Sequence, residues 1–163
     1  MKERGGILVF LLTVIIFIGG GFFVFKKAQD SVPGEPFFNL KGTIEDFELA
    51  TTELDPGQRA LKYMEFADRR LDELIRIENR GGSPKELFSA AELYWEQEEK
   101  AITELQRESI AVITSEPKMK LISVNQKALV IFSRIIDKTP APEFYSFLEI
   151  KQATENAAEK FSR

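Results

Sequence analysis

Hydrophobic positions in this chain fall into two regimes. From Gly5 to Phe25 they are nearly unbroken, GGILVFLLTVIIFIGGGFFVF, with Thr13 the one polar side chain and no charge. Beyond residue 40 they recur every three to four residues, the spacing of amphipathic helices. No stretch alternates with period two, so no sheet is predicted.

The sharpest boundaries are chemical. Asp55-Pro56-Gly57-Gln58 supplies an N-cap, a proline at the first helical position and a Gln three residues past the cap. Gly81-Gly82 ends that helix, and Ser83-Pro84-Lys85-Glu86 opens the next with a capping box. Glu116-Pro117 and Thr139-Pro140-Ala141-Pro142 open two more. Helices are predicted near 40–52, 57–80, 84–114, 117–138 and 142–162. On the wheel, Ala60, Tyr63, Met64, Ala67, Leu71, Leu74, Ile75 and Ile77 share one arc, and Leu87, Ala90, Ala91, Tyr94, Ala101, Ile102, Leu105 and Val112 another. The three-residue connection between them implies an antiparallel helical hairpin. The run ALVIFSRII makes 117–138 the expected central helix. The fold class is all-α: one N-terminal transmembrane helix, then a small bundle built around this hairpin.

The 21-residue apolar run would span about 30 Å as a helix, the thickness of the hydrocarbon core. Lys2 and Arg4 flank it on one side, Lys26 and Lys27 on the other. A cleaved signal peptide has a shorter apolar core, and the only small cluster, Gly19-Gly20-Gly21, lies inside the run. A pilin-type leader would want Glu where Phe10 stands. The expected organisation is a transmembrane anchor over 1–28, a Pro/Gly linker over 29–39 and a helical domain over 40–163. Two basic residues on each side leave the positive-inside rule tied. The short tail ahead of a long acidic domain favours a signal anchor, with the domain outside the cytoplasm. So short a tail holds no effector domain, and signalling would need a membrane partner.

Beyond residue 28 there are 18 basic and 25 acidic residues, a net charge of −7. That argues against nucleic acid, which needs a basic face. With no Cys and no His, the thiol nucleophile, the imidazole base and the usual zinc and copper ligands are all missing. No G-x-S-x-G, S-x-x-K or phosphate-binding loop occurs. Glu92, Glu96, Glu99 and Glu104 form a ridge at the spacing of a solvated helix face, where calcium sites draw on loop oxygens. No catalytic residue, cofactor or metal ligand is assigned, and the chain is not expected to be an enzyme. The expected partners are membrane lipid through Gly5–Phe25 and a protein of the envelope, either in a contact-forming module or in a sensor or regulatory subunit of a signalling complex.

Two charges stand out on the hairpin. Arg70 falls inside the apolar arc of 57–80 and Glu98 inside that of 84–114, which predicts a register-setting ion pair between them, with Glu45 as the rival partner. Arg69 is placed on a solvated face with Glu65, Asp72 and Glu73, with Glu65–Arg69 and Asp72–Arg76 pairs four apart.

Val32-Pro33-Gly34-Glu35, then Phe37-Phe38-Asn39-Leu40-Lys41 and Glu45, followed by Ala67-Asp68-Arg69-Arg70-Leu71-Asp72-Glu73, resembles the bacterial domain of unknown function 5667 family. Its pattern is Leu/Val-Pro-Gly-acid, an aromatic, Leu-Lys and a downstream Glu, with Phe38 standing where Tyr is often found. The similarity covers 32–73 and runs loosely to about 105; residues beyond about 115 carry none of it. It implies an extracytoplasmic helical domain behind one transmembrane helix, with Pro33, Gly34, Lys41, Glu45, Arg69, Arg70 and Leu71 as motif positions and no activity.

Overall fold

A computed structural model of the chain describes residues 20–51, 55–107, 115–140 and 144–162. Among them are helices and no strand, as the hydrophobic period requires. Helical residues 20–30 form α1. Then follow α2 (Phe38–Ala50), α3 (Pro56–Asn79), α4 (Pro84–Arg107), α5 (Ser115–Lys138) and α6 (Phe144–Ser162). Most of the predicted span Gly5–Phe25 lies outside the described residues. No described helix is long and apolar enough to cross a membrane.

The chain divides into two compact units between Ile44 and Glu45, inside α2. In the first, the stretch 29–39 is only partly irregular. Its first two residues complete α1, and Val32-Pro33-Gly34-Glu35 makes a type II turn. Gly34 supplies the φ of +92° that the third turn position demands, and Glu35 N–H donates to the Val32 carbonyl at 3.0 Å. The Glu35 carboxylate reaches back to accept from Val32 N–H, also at 3.0 Å.

The second unit is a four-helix bundle. Asp55 caps α3 by accepting from Gln58 N–H at 2.8 Å. The helix ends in a Schellman motif: Gly82 N–H donates to the Ile77 carbonyl and Gly81 N–H to that of Glu78, with Gly81 at φ +72°. Ser83 and Glu86 then exchange the two bonds of the capping box. The α3/α4 hairpin is therefore as predicted as far as Arg107; the expected continuation of its second helix through Val112 to 114 lies outside the described residues.

α3 also packs on α5, α4 on α6, and α5 on α6, so two hairpins lie side by side. Each helix of the bundle packs on two others, so α5 is one of four alike rather than the central helix expected from ALVIFSRII. It turns Leu121, Val124, Ala128, Phe132 and Ile135 inward and leaves Met119 and Val130 exposed. Tyr94 and Phe132 meet edge to face across the interior, centroids 5.5 Å apart. An ion-pair ladder fixes the parallel register of α3 on α5: Asp68 with Lys120 and Lys127, Asp72 with Lys127, and Glu78 with Arg134 and Lys138.

Candidate functional site

The motif residues divide between the two units. In the first unit, Lys41 is buried and its ammonium donates to the Gln29 carbonyl at 2.8 Å. Ser31 Oγ donates to the Ala28 carbonyl at 2.6 Å. Carbonyls of the last turn of α1, which have no partner within their own helix, are thereby satisfied, one of them by a cation at the negative end of the helix dipole. Pro33 and Gly34 make the turn that brings α2 back to this point.

In the second unit, Arg70 donates to Glu45 and, at 2.8 Å, to Glu73 Oε1, with all three side chains buried. The expected Arg70–Glu98 pair does not form. Glu45 reaches Arg70 because its side chain is buried while Phe47 of the same helix is exposed, the reverse of the wheel's assumption. Glu73, assigned to a solvated face, is fully buried, because it lies one turn from Arg70 and is drawn in with it. Arg69 pairs with Glu48 of α2 at 3.5 Å and lies over the Phe66 ring at 5.2 Å. Glu65 takes Lys62 instead, and Asp72 takes Lys127. Leu71 is core. Burial lowers Lys62, but Glu65 and Glu48 outweigh it and hold the ammonium above the usual lysine value.

These positions are those of a known family. The model of the family described as Domain of unknown function (DUF5667) matches residues 30–162. The chain belongs to that family. The match runs through α5 and α6, beyond the similarity visible in the motif, so the family unit is the whole bundle together with its entry turn. No curated protein and no solved structure matches the chain.

A second polar cluster of this DUF5667 domain was not legible beforehand. Glu98 is buried at the centre of the bundle, where Thr154 Oγ1 of α6 donates to its Oε2 at 3.1 Å. The Tyr94 hydroxyl donates to Asn125 Oδ1 of α5 at 3.4 Å. Burial pushes the Glu98 carboxyl above the ordinary range, against the opposing pull of the Thr154 hydroxyl. Burial, and then the charge of Glu98, push the Tyr94 hydroxyl well above its ordinary value. Glu98 Oε1 and Asn125 Nδ2 are buried with no hydrogen-bond partner among the described residues. Asn125 and Thr154 lie one each on two helices distant in sequence, so no linear pattern announces them.

Glu104, read as part of a solvated ridge, is buried and pairs with Arg107 at 2.9 Å and Arg59 at 3.8 Å. Among the described residues no group of three His, Cys, Asp or Glu could hold a metal ion. A cavity of about 240 Å³ opens where the α3–α4 turn meets the end of α5, lined by Pro84, Leu87 and Ile135 with Glu78 and Lys138 among its walls. It is smaller than pockets that enclose drug-sized ligands, roughly 300–1,000 Å³.

Proposed function

We propose that this DUF5667 protein is a single-pass membrane-tethered helical module, presented outside the cytoplasm, that works through protein contacts in the bacterial cell envelope rather than by catalysis. The observation that carries the tether is at the end of the uncharged run. Phe22 and Phe23 on α1 are 69% and 59% exposed, and Val24 and Phe25 are open as well. Four consecutive bare apolar side chains at the end of a 21-residue uncharged stretch are what lipid would cover. The contact role is supported by the chemistry of the interior. Its buried charges cap a helix or hold helices together, and the chain has neither imidazole nor thiol.

A sensor or regulatory subunit is the second reading, favoured by the Lys41–Gln29 bond. A bonded turn between α1 and α2 would carry displacement where a flexible linker would absorb it.

The test uses the full chain. It should stay in the membrane pellet through alkaline carbonate extraction, and a C-terminal alkaline-phosphatase fusion should be active. Release into the supernatant would remove the tether. An inactive fusion beside an active cytoplasmic reporter would reverse the topology. Purification from detergent should bring down a stable protein partner, and isolation of the chain alone would count against the contact role.

A further inference from the structure

The two hairpins of the bundle meet along two seams, and the seams are fastened differently. α3 and α5 run parallel, tied at the surface by the ladder from Asp68–Lys120 to Glu78–Lys138. α4 and α6 also run parallel, and the contacts that tie them are internal. Phe88 meets Phe147 edge to face with centroids 5.7 Å apart, and Thr154 donates to Glu98 at 3.1 Å. One seam is held by ions in water, the other by an acid in the core.

That acid is poorly provided for as an ion. Glu98 is 1% exposed, and its Oε1 has no hydrogen-bond partner among the described residues. Tyr94 stands one turn away on α4, Asn125 comes from α5 and Thr154 from α6. On α3, the contacts Arg59–Glu104 and Lys100–Tyr63 set a register that brings the buried Met64 and Ala67 to this level. Charged neighbours along these helices are engaged elsewhere: Arg70 and Glu73 with each other, Asp68 with Lys127, Lys151 with Glu155. Among the described residues no charged side chain acts on the Glu98 carboxyl. A neutral acid suits such a site, whereas a carboxylate there needs water. Water can reach it by parting α4 from α6, because the α3/α5 ion pairs keep their charges at neutral pH.

We propose that Glu98 is a proton-operated latch on the α4/α6 seam: with its proton it lets the two helices close over it, and on losing the proton it draws water in and parts α6 from α4 while the α3/α5 seam holds. Burial raises the folded-state value of this acid, so closure is complete below the ordinary 4.5 and is lost as pH rises through the folded value. The device goes beyond the contact role and does not depend on the tether.

The chain has no cysteine, so pairs of spin labels are simple to place. Glu99→Cys with Asn156→Cys spans the α4/α6 seam, and Arg76→Cys with Val130→Cys spans α3/α5. Distances are measured by double electron–electron resonance on the full chain in dodecyl maltoside, from about pH 5 to about pH 8.5. The 99–156 distance should lengthen by several ångströms as pH rises, and return when pH is lowered, while 76–130 stays fixed. Glu98→Gln should keep the 99–156 distance short throughout. The carbon resonance of the Glu98 carboxyl, followed in the parent, gives a second reading that needs no variant at this position. Its titration midpoint should coincide with that of the lengthening. A 99–156 distance that ignores pH would overturn the latch. So would both distances growing together, which is general loosening, or opening that persists in Glu98→Gln or has a midpoint away from that of the carboxyl.

Discussion

Arg70 of α3 holds Glu45 of α2 across 25 positions of sequence, with both side chains almost closed to water. A buried pair adds little over a well-packed apolar substitute, but removing one partner strands the other. Here Arg70 serves two carboxylates, Glu45 and Glu73.

Arg70→Ala should therefore destabilise the bundle by about 3–5 kcal/mol. Arg69→Ala, whose partner Glu48 is part-exposed, should cost about 1 kcal/mol or less. Urea unfolding followed by circular dichroism measures both. Equal losses would mean that the buried cluster is not what pins α2 to α3.

The hairpin turn tolerates no side chain at either glycine, for different reasons. Gly81 is in the left-handed region, where a Cβ costs about 1–2 kcal/mol. At Gly82 the backbone is ordinary, but a Cβ would stand 2.3 Å from Ile77 Cγ2 and 3.0 Å from the Ile77 carbonyl oxygen. Ile77 is fully buried and cannot swing away. Gly82→Ala should cost about 1–3 kcal/mol by overpacking, and Ile77→Leu, which lacks the contacted Cγ2 methyl, should recover part of it. A Gly82→Ala protein as stable as its parent would show that the turn relaxes freely.

Helix positions were legible because their ends are written in local chemistry. Asp55-Pro56, Gly81-Gly82 and the Ser83–Glu86 box act within a turn of where they stand, and the Val-Pro-Gly-Glu turn likewise. The partner of Arg70 was not legible, although its inward placement was. The wheel assumes that the apolar arc faces the core, and α2 breaks that assumption with Leu40 and Phe47 outward and Glu45 inward. The wheel had placed Glu73 and Glu104 in water; Glu73 followed Arg70 inward, and Glu104 is buried beneath the part-exposed Arg59 and Arg107. The Glu98 site needs Tyr94, Asn125 and Thr154 from three helices, and only tertiary packing brings those together.

The α3/α5 ladder should show itself at acid pH. Burial raises Asp68 and Glu78, but Lys127 and Lys120 outweigh it at Asp68, and Lys138 and Arg134 at Glu78, so both carboxyls titrate below their ordinary values of 3.8 and 4.5. A depressed folded value gives stability that is present above the unfolded value and lost as pH falls through the folded one. Unfolding free energy should therefore decline below about pH 4.5. Asp68→Asn with Glu78→Gln should flatten that decline, as should high salt, since these ions are part-exposed. An unchanged acid limb in the double variant would assign it to other groups.

Glu98 should give the opposite slope in a higher window. Its carboxyl titrates above the ordinary glutamate value of 4.5 because the bundle interior disfavours its charge. A raised folded value means that the folded state binds the proton more tightly than the unfolded chain. The stability this provides is complete below the unfolded value and lost as pH rises through the folded one, at up to about 1.4 kcal/mol per pH unit. From about pH 4.5 upward the bundle should therefore weaken until Glu98 is ionised in the folded state, and then level off. Gln at this position keeps the shape of the protonated acid and still accepts from Thr154, but it cannot ionise. Glu98→Gln should match the parent at low pH and exceed it at neutral pH and above, with the fall in this window gone. Leu would strand Thr154, and Glu98→Leu should gain less than Glu98→Gln. Unfolding curves taken from pH 4 to 9 for the parent and both variants decide the matter. Parallel curves for parent and Glu98→Gln would mean that Glu98 has an ordinary affinity for its proton despite its position in the core.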